Sequence, residues 1–159
     1  MAQQLWLLRH GEAEPHDAAP DADRQLTARG RDQARAAGRT LAALGVEFQM
    51  AFTSPKVRAR ATAVIACKEL GLEPVDHDAL SASFDRDDAL ELVAATGADK
   101  RVLVVGHEPD FSQVVHELTG GRIDLKKGGI AAVRLDGTRG ELIVLLRPRE
   151  LDRIGQPVA

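Results

Sequence analysis

Short apolar runs alternate along this chain with longer stretches whose apolar positions recur every three or four residues. The runs predict strands at 4–9 (QLWLLR), 49–53 (QMAFT), 102–106 (VLVVG), 130–135 (IAAVRL) and 141–147 (ELIVLLR), with a weaker one at 74–77. The helical period marks 27–44, 55–70, 87–96 and 109–119. Each of these is followed by a glycine suited to a C-cap: Gly45, Gly71, Gly97 and Gly120. Thr27 reads as the N-cap of the first helix, and Ser54-Pro55 as the N-cap and first residue of the second. Asp136–Gly140 carries a hairpin signal between the last two strands. Strands separated by helices predict the α/β class, as a three-layer α/β/α sandwich. Its sheet is expected to be mainly parallel with an antiparallel C-terminal hairpin, in one domain over 1–159. The acidic stretch Glu12–Asp23 (EAEPHDAAPDAD) reads as a long loop, either simply solvated or a lid over a site.

Composition narrows the function classes. With 159 residues, 44% hydrophobic and 28% charged, the chain can bury a core of its own. A net charge of −3 gives no overall positive field for nucleic acid. The Arg- and Ala-rich 29–43 stretch has no interleaved aromatics, so it reads as a helix with one charged face. No run approaches the ~20 apolar residues of a membrane span. The few residues before Arg9-His10 are too short for a secretory signal, and a lone cysteine, Cys67, suits a reducing compartment. A cytoplasmic protein without membrane or nucleic-acid partners is expected.

In open parallel sheets, ligands bind beyond the carboxyl ends of strands, where helix N-termini also point. The first strand leads into Arg9-His10-Gly11, the second into Thr53-Ser54-Pro55 with Arg58 in the following helix. The fourth leads into Gly106-His107-Glu108-Pro109. Two arginines and two histidines thus meet at one edge without a matching run of carboxylates. Such cations repel one another unless an anion lies between them, and the arginine fork suits phosphate oxygens. The anion expected is a phosphoryl group. Arginine or lysine would bind it as well as histidine does, but neutral imidazole can also attack phosphorus while its other nitrogen holds a proton, typically donated to a backbone carbonyl. His10 is therefore the candidate nucleophile. Arg9, Arg58 and His107 would stabilise charge on the phosphoryl oxygens, and Gly11 would let backbone approach the phosphate.

Leu8-Arg9-His10-Gly11-Glu12-Ala13, Leu26-Thr27-Ala28-Arg29-Gly30, Ser54-Pro55-Lys56-Val57-Arg58-Ala59 with Thr62-Ala63, and Gly106-His107 together resemble the histidine phosphatase superfamily. The short length and the tail Ile130–Leu135 are similar to its small SixA-type phosphohistidine phosphatases. The resemblance implies a phosphoglycerate mutase-like fold with no metal or other cofactor. It makes His10 the phosphorylated nucleophile, Arg9 and Arg58 the phosphoryl-binding residues, and His107 the second histidine of the pocket. Larger members carry a carboxylic general acid, often after the third strand. Here that stretch is Leu80–Asp85 (LSASFD), with only Asp85 to offer. An alcohol leaving group needs such an acid, worth ~10²–10⁴-fold, whereas phosphorylated imidazole has a weak P–N bond.

The leading expectation is thus a phosphohistidine phosphatase acting on a phosphorylated protein, of which a histidine phosphotransfer domain is one example. A small-molecule phosphomonoesterase and a non-catalytic phosphate-binding module are the alternatives. A receiver domain is disfavoured, because clustered aspartates should follow its first strand. His16, His77 and His116 read as surface or structural residues, Glu12 and Glu14 as loop charges without a metal-ligand spacing, Arg60 as solvated and Cys67 as core. Glu108 reads as solvated, with orienting a histidine or acting as an acid left open.

Overall fold

The computed structural model describes residues 2–156. The chain runs β1 (Gln3–Arg9), α1 (Ala28–Ala43), β2 (Met50–Thr53), α2 (Val57–Lys68), β3 (Val75–Asp76), α3 (Arg86–Thr96), β4 (Arg101–Gly106), α4 (Asp110–Thr119), β5 (Ile130–Asp136), β6 (Arg139–Leu146) and α5 (Pro148–Ile154). The strands form one sheet in the order β3-β2-β4-β1-β5-β6. Pairings β2–β3, β2–β4 and β1–β4 are parallel, and β1–β5 and β5–β6 antiparallel, so β5 alone runs against the rest. This is the expected class.

Period-two alternation explains why both faces are covered. Leu5 and Leu7 of β1 and Val102 and Val104 of β4 face a core shared with α3 and α4. Trp6, Leu8, Leu103 and Val105 face the opposite core, filled from α1, α2 and α5 by Ala37, Leu41, Ala59, Ala63 and Leu151. Strands buried on both faces read as unbroken apolar runs, as these do. The four glycines after the long helices all have positive φ, from 66° to 109°. Thr27 caps α1, its hydroxyl accepting from Gly30 N at 3.0 Å. Cys67 is fully buried. No helix of the described residues is long and apolar enough to cross a membrane.

Three local expectations are corrected. Ser54 is not the N-cap of α2, which starts two residues later than expected with Lys56 at its N-cap; the Ser54 hydroxyl accepts from Lys56 N at 3.2 Å and lies 2.8 Å from His107 Nε2. The hairpin turn is only Gly137-Thr138, since Asp136 already pairs with Arg139. The helix α5 was not expected, because its seven residues bury only Leu151 and leave almost no periodic signal. Its signal lay instead in Pro148 at the first position and in Glu150, which accepts from Arg147 N at 3.0 Å.

The stretch after β1 is not a free loop. An isolated bridge pairs Ala13 with Leu26, and Thr27 N donates to Glu12 O and Glu14 N to Gln25 O. The carboxylates of Glu12 and Glu14 accept from Thr27 Oγ1 and Gln25 N, which closes the base of the connection. Asp21–Asp23 form one 3₁₀ turn at its far end.

Candidate active site

Three adjacent strands end side by side. Arg9 of β1 lies in register with Gly106 of β4, and Thr53 of β2 with Val105. Beyond them, His10 N donates to Gly106 O at 3.1 Å and Ser54 N to Val105 O at 2.9 Å. Strand pairing therefore sets Arg9-His10, Ser54 and His107 along one edge. The rings of His10 and His107 are 5.2 Å apart. Arg9, His10, Arg58 and His107 all line one cavity of about 400 Å³. The four residues expected from the sequence are thus brought together.

The orientation of His10 follows from one bond. Its Nδ1 lies 2.7 Å from Gly11 O, which can only accept, so Nδ1 carries the proton. Nε2 is then the nitrogen with the free lone pair, and no hydrogen bond among the described residues occupies it. His10 and His107 are only 6% and 8% exposed. Burial lowers the pKa of His10 to about 4, and the Arg58 and Arg9 cations push in the same direction against the Gly11 bond. Burial, with His10 and Arg58 adding to it, lowers His107 to about 3. Both rings are neutral at pH 7, the form a nucleophile requires.

The arginines are held in place while keeping donors in reserve. Arg9 donates from Nη1 to Leu125 O at 3.0 Å, and Arg58 from Nη1 to Asp21 O at 2.6 Å. Arg9 Nε, Arg58 Nε and His107 Nδ1 are buried with no hydrogen-bond partner among the described residues. Burial disfavours the cation at both arginines. An oxyanion in the cavity would answer both costs.

Gly11 departs from its expected role. Its N–H is committed to Thr62 Oγ1 at 3.1 Å. A Cβ there would lie 2.5 Å from Gly30 O, so the glycine serves close approach of α1 rather than of a ligand. Nor is the edge free of carboxylates, because Asp21, Glu108 and Asp110 share the cavity wall. Glu108 is half-buried rather than solvated, its oxygens accepting from Ser112 N at 2.7 Å and Ser112 Oγ at 2.5 Å. Asp85 caps α3 in a reciprocal box with Asp88, and the wall it was expected to serve presents Ser81, Ala82 and Ser83. Sequence reasoning also missed Arg24, Lys56 and Lys127 as cavity residues, and read His16 as a surface or structural residue, whereas it lines the rim. Lys56 stood inside the recognised Ser54–Ala59 motif and Arg24 two residues before the Leu26–Gly30 one, without a role read for either, and Lys127 belonged to no motif.

The two buried neutral histidines imply a pH effect on stability. Unfolded imidazole takes up a proton near pH 6.5, whereas these rings resist it down to about 4 and about 3. The unfolded state therefore binds more protons below pH 6.5, and acidification favours unfolding. Stability should fall by up to about 1.4 kcal/mol per pH unit for each histidine between pH 6.5 and 4.5. Urea midpoints across that window measure it, and a flat profile would mean that the folded rings take up protons as readily as the unfolded ones.

Comparison with known proteins gives a consistent frame. A family model described as Histidine phosphatase superfamily (branch 1) matches residues 5–82. An uncharacterised protein of Picosynechococcus sp. is 33% identical over 93% of this chain and 98% of its own. A 2,3-bisphosphoglycerate-dependent phosphoglycerate mutase of Methylobacterium sp. is 39% identical over 55% of this chain but only 43% of its own. Among solved structures, the protein histidine phosphatase SixA complexed with tungstate superposes with a TM-score of 0.84. It is 29% identical, over 93% of this chain and 99% of that one.

Proposed function

This chain is a phosphatase that belongs to the histidine phosphatase superfamily, and we propose that its substrate is phosphohistidine displayed on a protein. The observation that carries the substrate class is the commitment of every carboxylate on the cavity wall. Asp21 is ion-paired to Arg58, Arg24 and Lys56. Both oxygens of Glu108 are held by Ser112, and Asp110 accepts from Phe84 N at 3.3 Å. Each accepts from the protein's own donors, Asp21 and Glu108 through both oxygens and Asp110 through Oδ2, so none stands apart from them as a free acid. An alcohol leaving group without such an acid forfeits ~10²–10⁴-fold in rate. An imidazole that carries a proton on its distal nitrogen leaves as a neutral molecule and needs none.

The reaction then takes two steps. His10 Nε2 gives its lone pair to phosphorus while the substrate P–N bond breaks, and that electron pair departs with the imidazole. His10 is now a phosphorylated imidazolium, its Nδ1 proton still shared with Gly11 O. Water next adds to phosphorus and the bond to Nε2 breaks, returning neutral His10 and releasing phosphate and a proton. Arg9, Arg58 and His107 surround the equatorial oxygens, where charge stabilisation contributes most. The SixA relative was solved with tungstate, a tetrahedral oxyanion, which supports an oxyanion site in this fold. The partner we infer is a protein that presents the phosphorylated side chain to the cavity, a histidine phosphotransfer domain being one such shape.

Leaving-group preference tests this reading. The value of kcat/KM on a phosphohistidine protein should exceed that on an alkyl phosphate ester by at least about 10²-fold. Preference for the ester would move the function to small-molecule phosphomonoesters, the direction in which the mutase relative points. Phosphate binding without turnover of either substrate would leave a binding module.

A further inference from the structure

We infer that Asp21 is a built-in counter-ion of the phosphoryl site, which holds its cations between turnovers and weakens the grip on the phosphate product. The inference rests on the oxyanion reading of the cavity. Three cations converge on this one residue: Arg24 Nη2 at 3.1 Å, Lys56 Nζ at 3.0 Å and Arg58 Nη2 at 3.4 Å from its carboxylate. Its carbonyl oxygen takes a fourth bond, from Arg58 Nη1 at 2.6 Å. All four residues line the cavity that contains His10.

Arg24 and Arg58 are 7% and 5% exposed, so leaving them unpaired would be costly. The Asp21 side chain itself is 52% exposed. It reaches the cations from the solvent side, out of a 3₁₀ turn carried on a stem pinned by the Ala13–Leu26 bridge. The carboxylate is therefore tethered beside the site, as a local competitor for the same donors. Glu108 cannot play this part, since both its oxygens are fixed at the start of α4. A phosphohistidine entering the cavity brings more negative charge than one carboxylate and gains His10 as a covalent partner. Inorganic phosphate gains no such partner, yet it would fill an uncompensated cluster of arginines and lysine. With Asp21 in place, phosphate must instead compete for the Arg24 Nη2, Lys56 Nζ and Arg58 Nη2 donors that Asp21 holds, and its release is eased.

Substitution Asp21→Asn keeps the size, the carbonyl bond to Arg58 and one acceptor oxygen, while removing the charge. The probe is inorganic phosphate, and the readouts are thermal unfolding with and without it and the phosphate inhibition constant. Without phosphate the variant should melt below wild type. With phosphate its gain in Tm should be larger than that of wild type, and the inhibition constant should fall about tenfold, or 1.4 kcal/mol. A purely structural Asp21 would lower both the melting point and the phosphate affinity, and that result overturns the inference. If wild type shows no phosphate-dependent shift and no inhibition, the oxyanion reading itself fails and takes the inference with it. Wild-type binding with an unchanged inhibition constant in Asp21→Asn overturns the inference alone.

Discussion

Replacement of His10 by alanine is expected to reduce phosphohistidine hydrolysis by at least about 10⁴-fold in kcat, since it removes the Nε2 lone pair that the Nδ1–Gly11 O bond leaves free between two arginines. His107 is the nearest other imidazole, 5.2 Å away ring to ring, but its Nε2 lies 2.8 Å from Ser54 Oγ. The lysines and arginines are poor nucleophiles because they are protonated. The protein itself should survive the substitution. His10 is a buried ring that is penalised for charging, and its loss removes one of the two buried imidazoles that resist protonation. The variant should therefore keep a cooperative unfolding transition and still bind inorganic phosphate through Arg9 and Arg58. Steady-state phosphate release together with phosphate-dependent melting separates these two properties. Release within tenfold of wild type would remove His10 from the mechanism.

Gly11→Ala should be damaging out of proportion to its single added methyl group. The added Cβ would meet Gly30 O at 2.5 Å and Gly30 Cα at 2.9 Å, both backbone atoms at the start of α1. A Cβ on Gly30 would in turn lie 2.0 Å from Glu12 O. Neither side can yield by rotating a side chain, so α1 or the backbone after β1 must move. A cost of about 3 kcal/mol is expected, at the upper end for overpacking, and urea midpoints measure it. Activity should fall too, even in protein that remains folded. Gly11 O orients the His10 ring and Gly11 N is tied to Thr62, so a displaced Gly11 re-aims the nucleophile. Unchanged midpoint and activity would show that the two backbones separate freely.

The architecture was legible because each element carried its own local signal. Strands buried on both faces wrote themselves as Leu5–Leu8 and Val102–Val105, and left-handed glycines closed four helices. Arg9, His10, Arg58 and His107 were legible because Arg9 ends β1, His10 and His107 directly follow β1 and β4, and Arg58 stands in the first turn of α2. What escaped was whatever depended on contacts distant in sequence. The reason for Gly11 lies nineteen residues away at Gly30, and nothing between them announces that the two backbones touch. Ser54 has the composition of an N-cap, and only the packing of β2 beside β4 turns its hydroxyl toward His107. Asp21 looked like one of several acidic loop residues, and its partners Lys56 and Arg58 stand on another helix. Glu108 looked solvated because its engagement by Ser112 appears only once α4 has formed.

The central claim is that the phosphoryl group passes through Nε2 of His10. Mixing enzyme with a phosphohistidine protein labelled in its phosphoryl group, quenching in alkali at millisecond intervals and mapping the label by peptide follows that passage directly. The label should appear on the peptide containing His10 before it appears as free phosphate, and it should be absent from His10→Ala. Phosphate released with no label ever on His10, from wild type and His10→Ala alike, would contradict the account.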